Sequence, residues 1–175
     1  GLPKDHVESY WYFMHQNLFN HIDIKAENIN LPSGTVASAD IPAHCAEYEQ
    51  AIVDAGGIDI QILGIGRTGH IGFNEPGSPK DSLTRAITLD PITREDAAPA
   101  FGGIDNVPTE AITMGCGTIL GARRIVLMAW GSGKASIVNE AVTGTVNDIV
   151  SASYLQEHAD SVFFVDTAAS ANLPA

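Results

Sequence analysis

The strongest constraint on this chain is a β-prone apolar run, Ile58 to Leu63, that feeds directly into a glycine-dense loop. The loop reads Gly64-Ile65-Gly66-Arg67-Thr68-Gly69-His70-Ile71-Gly72-Phe73-Asn74-Glu75-Pro76-Gly77-Ser78. A strand ending this way predicts a layer of an α/β sheet, and ligands bind beyond the carboxyl ends of such strands. Glycines let backbone amides approach a bound molecule closely. The loop also carries an imidazole, His70, and a carboxylate, Glu75, near enough in sequence for a bend to bring them together. The carboxylate would then orient the ring and raise its basicity. The segment reads as the floor and acid–base apparatus of a small-molecule site.

The remaining elements fit the same plan. Tyr10, Phe13, Met14 and Leu18 recur at helical spacing between Val7 and Phe19, predicting a helix whose aromatic stripe enters the core. After a loop-like passage, Asp40 reads as an N-cap with Pro42 in the first turn. Cys45, Tyr48, Ile52 and Ala55 then share a face until Gly56-Gly57 ends the helix. Thr84 to Leu89 is β-prone, whereas Pro91 to Gly103 has the small-residue composition of an irregular, mobile lid. Ala111 to Met114 and Arg124 to Trp130 read as strands, the second nearly continuous in apolar residues, like a buried parallel strand. Ala135 to Val142 predicts a helix, Tyr154 to His158 a short one, and Ser161 to Val165 a last strand. This alternation implies an open, mostly parallel, layered α/β sheet. The length suits one domain over 1–175.

Charge narrows the partners. A formal charge of −12 argues against a nucleic-acid surface and leaves no basic stripe for anionic lipid. No uncharged apolar run is long enough to span a bilayer. An anionic ligand must therefore be held by local donors. Cys45 and Cys116 read as reduced thiols of a cytoplasmic protein. His6, His15 and His21 lack a two-His metal pattern, and surface or capping roles are expected for them. Neither a signal peptide nor an initiating Met precedes Gly1-Leu2-Pro3, so the chain reads as beginning within a larger product.

Two motifs need weighing. Gly64, Gly66 and Gly69 match the spacing of a dinucleotide fingerprint, and Asp90 lies where a ribose-binding carboxylate would. That fingerprint needs a helix opening at its third glycine. Gly72, Asn74, Pro76, Gly77 and Pro79 follow instead, so nicotinamide and flavin are not expected. Gly131 to Lys134 is not a Walker loop either, because Met128 stands where its first glycine belongs. It is still a strand-to-helix turn offering amides, a hydroxyl and an ammonium to a phosphate. A cation there opposes the helix dipole, which favours an anion-binding role for Lys134.

The run from Gly64 to Ser78, with Phe73-Asn74-Glu75-Pro76, resembles the signature of glucosamine-6-phosphate deaminases. Similar too are Gly1-Leu2-Pro3, Glu8-Ser9-Tyr10, Phe13-Met14-His15, Glu27-Asn28-Ile29-Asn30, Val107-Pro108, Ala111-Ile112-Thr113, Gly115, Gly117-Thr118, and Gly131-Ser132 with Lys134-Ala135. The sister 6-phosphogluconolactonases share the glycine loop and its His. The resemblance implies their Rossmann-like α/β sheet without its N-terminal portion. It further implies conversion of glucosamine 6-phosphate to fructose 6-phosphate and ammonia in amino-sugar catabolism, without metal or organic cofactor, by a homo-oligomer. His70 would open the sugar ring with support from Glu75, Gly66 and Gly69 would line the substrate, and Lys134 would hold its phosphate. The alternatives are a silent sugar-phosphate-binding module and a 6-phosphogluconolactonase-like hydrolase.

The chain departs from the family pattern in three places. The resemblance puts the family's proton-transferring Asp, its phosphate-cradling turn and its first strands ahead of Gly1, so the chain by itself is expected to lack the C2 base. Thr68 stands at a position usually held by Asp, where a hydroxyl cannot supply negative charge to the imidazole. Pro99 or Ala100 falls where a lid arginine helps hold phosphate, and Arg94 does not align with it. Ser78, Arg85 and Thr88 match an allosteric sugar-phosphate site, but Ile87 replaces its lysine, so conventional allostery is not expected.

Overall fold

The computed structural model describes residues 1–174. Its centre is a three-stranded parallel sheet in the order β1 (Ile60–Leu63), β4 (Arg124–Ala129), β5 (Ser161–Val165). A smaller antiparallel pair, β2 (Arg85–Thr88) with β3 (Glu110–Thr113), is inserted between β1 and β4 in the chain. Helices α1 (Tyr10–Asn17) and α2 (Ile41–Asp54) precede the sheet, α3 (Pro91–Ala97) lies between β2 and β3, α4 (Cys116–Leu120) precedes β4, and α5 (Ala135–Thr143) follows it. The parallel β4–α5–β5 crossover is the connection such strands require. No helix among the described residues is long and apolar enough to cross a membrane.

One face of the sheet makes the core. Ile125 and Leu127 of β4 are fully buried, packed with Leu63, Ile65, Ile71, Ile119, Val138 and Leu155. Each such side chain contributes about 1.5–3 kcal/mol of burial. The opposite face is bare: Ile60, Ile62, Met128, Val162, Phe164 and, just past β4, Trp130 are all exposed. The nearly unbroken apolar sequence of β4 is therefore buried by alternate residues only, and the β1 run is likewise half exposed.

Four local expectations are corrected. Pro91–Gly103 is not wholly irregular, because α3 forms within it. Asp90 accepts a hydrogen bond from the Ile92 amide at 2.8 Å, and Pro91 occupies the helix start, where its missing N–H costs nothing. Asp40 caps nothing with its side chain; a 3₁₀ turn, Ser38–Asp40, runs straight into α2. The α1 stripe does not enter the core, since the helix fully buries no residue and Phe13 remains 55% exposed. The short helix expected at Tyr154–His158 is instead the end of a 3₁₀ stretch, Ser151–Glu157, with His158 extended just past it.

Candidate active site

The loop after β1 folds back on itself through its own amides. Gly66 N–H donates to the His70 carbonyl at 2.9 Å, and Gly69 N–H to the Gly66 carbonyl at 3.0 Å. A side chain at Gly66 would overlap the His70 imidazole, so only glycine leaves the ring its place. Gly69 turns with a φ of +82°, and a Cβ there would press on Val150 and Ile137. These two glycines thus shape the loop around the ring.

Distant segments then lock the loop. Ala152 N–H donates to Gly69 O at 2.9 Å, Ile71 N–H to Ser151 Oγ at 3.2 Å, and Ser151 Oγ to Asn74 O at 2.8 Å. Phe73 N–H reaches Thr113 Oγ1 at the end of β3, and the Tyr154 hydroxyl reaches Ser78 O, both at 3.0 Å. Asn74 is fully buried and its Nδ2 donates to Ile71 O and Met114 O, each at 2.9 Å.

This framework brings His70 and Glu75 together: Nδ1 lies 3.1 Å from Glu75 Oε2, with the two side chains only 13% and 10% exposed. Glu75 Oε1 accepts from the Asp90 amide at 3.3 Å, tying it to the base of α3, whereas Oε2, apart from this ion-pair contact with the ring, meets no hydrogen-bond donor among the described residues. Thr68 Oγ1 sits 2.9 Å from the same ring nitrogen. A carboxylate facing Nδ1 favours a proton there, and the Thr68 hydroxyl then accepts rather than donates. That tautomer leaves the Nε2 lone pair free for acid–base work. Burial holds the His70 pKa below its ordinary 6.5; Glu75 opposes this, the Lys134 ammonium adds to it, and Asp90 opposes it weakly.

Lys134 ends the 3₁₀ turn Ser132–Lys134 that opens α5, and its Nζ donates to Ile65 O at 2.7 Å, next to the glycine loop. One ammonium hydrogen is thereby engaged, and the others remain available to an anion. Arg85 donates to Ser78 Oγ at 2.9 Å, but Thr88 projects from the opposite face of β2. Ile87 shares the Arg85 face. Pro99 and Ala100 are exposed beyond α3, and Arg94 is occupied by the carbonyls of Ile104 and Val107 at 3.0 and 3.2 Å. Cys45 and Cys116 are free and buried. No group of three or more metal-ligating side chains occurs among the described residues. His6 stacks on Phe101, His15 lies between Trp11 and Phe19, and His21 Nε2 contacts Gln16 O.

The family model described as glucosamine-6-phosphate isomerases/6-phosphogluconolactonase matches residues 1–164. The chain belongs to that family. Glucosamine-6-phosphate deaminase of Alkaliphilus oremlandii is 44% identical over 173 residues, which are 99% of this chain and 71% of the relative. The Oceanobacillus iheyensis deaminase is 47% identical over 169 residues, covering 97% and 67%. A putative deaminase-like protein of Bacteroides thetaiotaomicron is 46% identical over 172 residues, and there the match spans 98% of this chain but only 26% of the relative. Among solved structures, one described as a monomeric glucosamine-6-phosphate deaminase superposes with a TM-score of 0.94 at 41% identity, over 98% of this chain and 70% of that one. The 6-phosphogluconolactonase of Trypanosoma cruzi superposes at 0.75 with 22% identity, over 99% and 69%, a likeness of fold alone.

Within this family member, the residues that sequence reading missed are the ones that hold the loop: Asn74, Thr113, Ser151 and Tyr154. Their partners lie 40 to 80 positions away in several cases. The Asn74-Glu75-Pro76 run was visible, but only the fold shows that the amide clips the bend carrying Glu75.

Proposed function

We propose that the polypeptide carrying this chain converts glucosamine 6-phosphate and water to fructose 6-phosphate and ammonia, as a step of amino-sugar catabolism, without metal or organic cofactor. The observation that carries this reading is the sheltered His70–Glu75 contact at 3.1 Å, set in a glycine loop beside Lys134. Its support is the naming of relatives above 40% identity as deaminases.

The residues suit the first chemical step. Opening a pyranose takes a proton from the anomeric hydroxyl and gives one to the ring oxygen, breaking that C–O bond to leave an aldehyde. An imidazole titrating near neutrality can do both through one nitrogen. Glu75, at Nδ1, stabilises the imidazolium formed in between, and Thr68 accepts a share of the same N–H. Lys134 anchors the phosphate. The later transfer of a proton from C2 to C1 needs a further carboxylate, which the family resemblance places ahead of Gly1. The product imine then takes up water and releases ammonia.

The test is turnover by the whole polypeptide, read as ammonia and fructose 6-phosphate formed from glucosamine 6-phosphate. His70→Ala should lower the rate by about 10²–10⁴. Binding of the sugar phosphate with no turnover would favour a binding module, and cleavage of 6-phosphogluconolactone would favour the hydrolase. Lys134→Ala should weaken binding of the phosphorylated sugar selectively; equal loss with unphosphorylated glucosamine refutes that role. We place the protein in the cytoplasm and expect a homo-oligomer, although one solved relative is described as monomeric; sedimentation of the whole polypeptide decides.

A further inference from the structure

We infer that Arg85 is a positioning residue for the His70–Glu75 pair, gripping the bend that carries Glu75 from both sides. The inference rests on the function proposed above. The Arg85 guanidinium donates through Nη1 to Asn74 Oδ1 and through Nη2 to Ser78 Oγ, both at 2.9 Å. A third, longer contact from Nη1 meets Leu83 O at 3.4 Å. Asn74 and Ser78 flank Glu75 in the chain, and both are buried.

The fork geometry matters. A planar guanidinium fixes two acceptors at once, and bonds from a charged donor are stronger than neutral ones. With Oδ1 held by Arg85, the Asn74 amide must turn its NH2 toward Ile71 O and Met114 O. The first of these bonds closes the bend one residue after His70; the second fastens it to the end of β3. Arg85 itself is registered opposite Thr113, whose Oγ1 accepts from Phe73 N–H within the same bend. The β2–β3 pair therefore delivers its cation to the bend in a fixed register.

Without the guanidinium, Asn74 Oδ1 and Ser78 Oγ would lose their donor in a buried place, where an unmet polar atom is costly. The bend would relax and Glu75 would drift from Nδ1. Facing the ring are Glu75 and Thr68 on its own loop, Asp90 at the start of α3, and Lys134 at the start of α5. Of these only Glu75 is carried on the segment that Arg85 grips. Loss of its influence leaves burial and Lys134 less opposed, so the imidazole should hold its proton less tightly.

The experiment combines an NMR titration of the His70 ring in the whole polypeptide, assigned by its loss in His70→Gln, with kinetics of the same protein. Arg85→Gln should lower the His70 titration midpoint by about 0.5–1 pH unit. It should also cut kcat by about tenfold while leaving KM within about twofold, the pattern of a group acting on the transition state. Arg85→Lys, which keeps one charged donor, should recover part of both. A folded Arg85→Gln protein with unchanged titration and kcat overturns the inference, even if it melts earlier. Should that variant fail to fold, Arg85→Lys and Ser78→Ala carry the test: a smaller downward shift supports it and no shift in either overturns it. If the wild-type polypeptide does not turn over the amino-sugar phosphate, the proposed function fails, while the titration still judges Arg85.

Discussion

The first 57 residues and residues 110–165 are built from comparably apolar sequence but held in opposite ways. The first region buries only Ser9 and Cys45, and α1 fully buries nothing. The second supplies most of the core: Ile119, Ile125, Leu127, Val138 and Leu155 are all within 1% of complete burial. The early helices are attached by a few directed contacts instead. Glu49 Oε1 on α2 accepts from the Thr84 amide at 2.7 Å and the Thr118 hydroxyl at 2.6 Å, and the Tyr10 ring meets Phe73 edge-on at 5.9 Å. The site loop leans on the second region through Ser151, Ala152 and Tyr154. Stability and site geometry should thus track residues 110–165 and be largely indifferent to the first helix.

The largest effect that can break this contrast is in β4. Leu127→Ala should cost about 2–5 kcal/mol in denaturant unfolding, by lost burial and the cavity left behind. A cost no greater than that of Phe13→Ala would abolish the distinction. Next comes the Glu49 joint: Glu49→Ala leaves the Thr84 amide without its acceptor, and a loss of about 1–3 kcal/mol is expected in the same assay. If hydrogen exchange showed α2 no looser afterwards, the joint would not be what attaches it.

Acid should sharpen the comparison from the site side. Burial holds the folded-state His70 pKa below 6.5, so the unfolded chain binds more protons as pH falls through 6.5. Stability from keeping this ring neutral is therefore present above 6.5 and declines below it, with a slope of at most about 1.4 kcal/mol per pH unit for one proton. Melting between pH 7.5 and 5.5 should show that decline, and His70→Gln should remove this part of it. An unchanged slope in the variant would mean that other groups set the acid limb. Smallest of all, Phe13→Ala on the exposed stripe should stay within about 0.5 kcal/mol.

How much of this was legible in the sequence follows from the range of the forces involved. The β1 strand, its glycine loop and the His70–Glu75 partnership could be read because the periodicity, the turn chemistry and the short spacing are all local. Arg85 was visible as a cation but not as a clamp on Asn74, since which acceptor it meets depends on the β2–β3 register. The α3 helix was missed although Asp90-Pro91 carries the capping chemistry sought at Asp40-Pro42; the small-residue run after it outweighed that signal. The α1 stripe shows the converse limit. An apolar face says that a helix has something to cover, not that a partner covers it, and the same holds for Ile62, Met128 and Phe164 on the bare side of the sheet.

The contact between residue 66 and the imidazole reaches beyond packing. A ring packed against a naked α-carbon gives up its swivelling during folding, so on the proposed reaction no ordering of it is left to be done when a sugar arrives. A single methyl group at that position would displace the ring, and on the proposed reaction the proton carrier would be lost from its post with every titratable residue still in the chain.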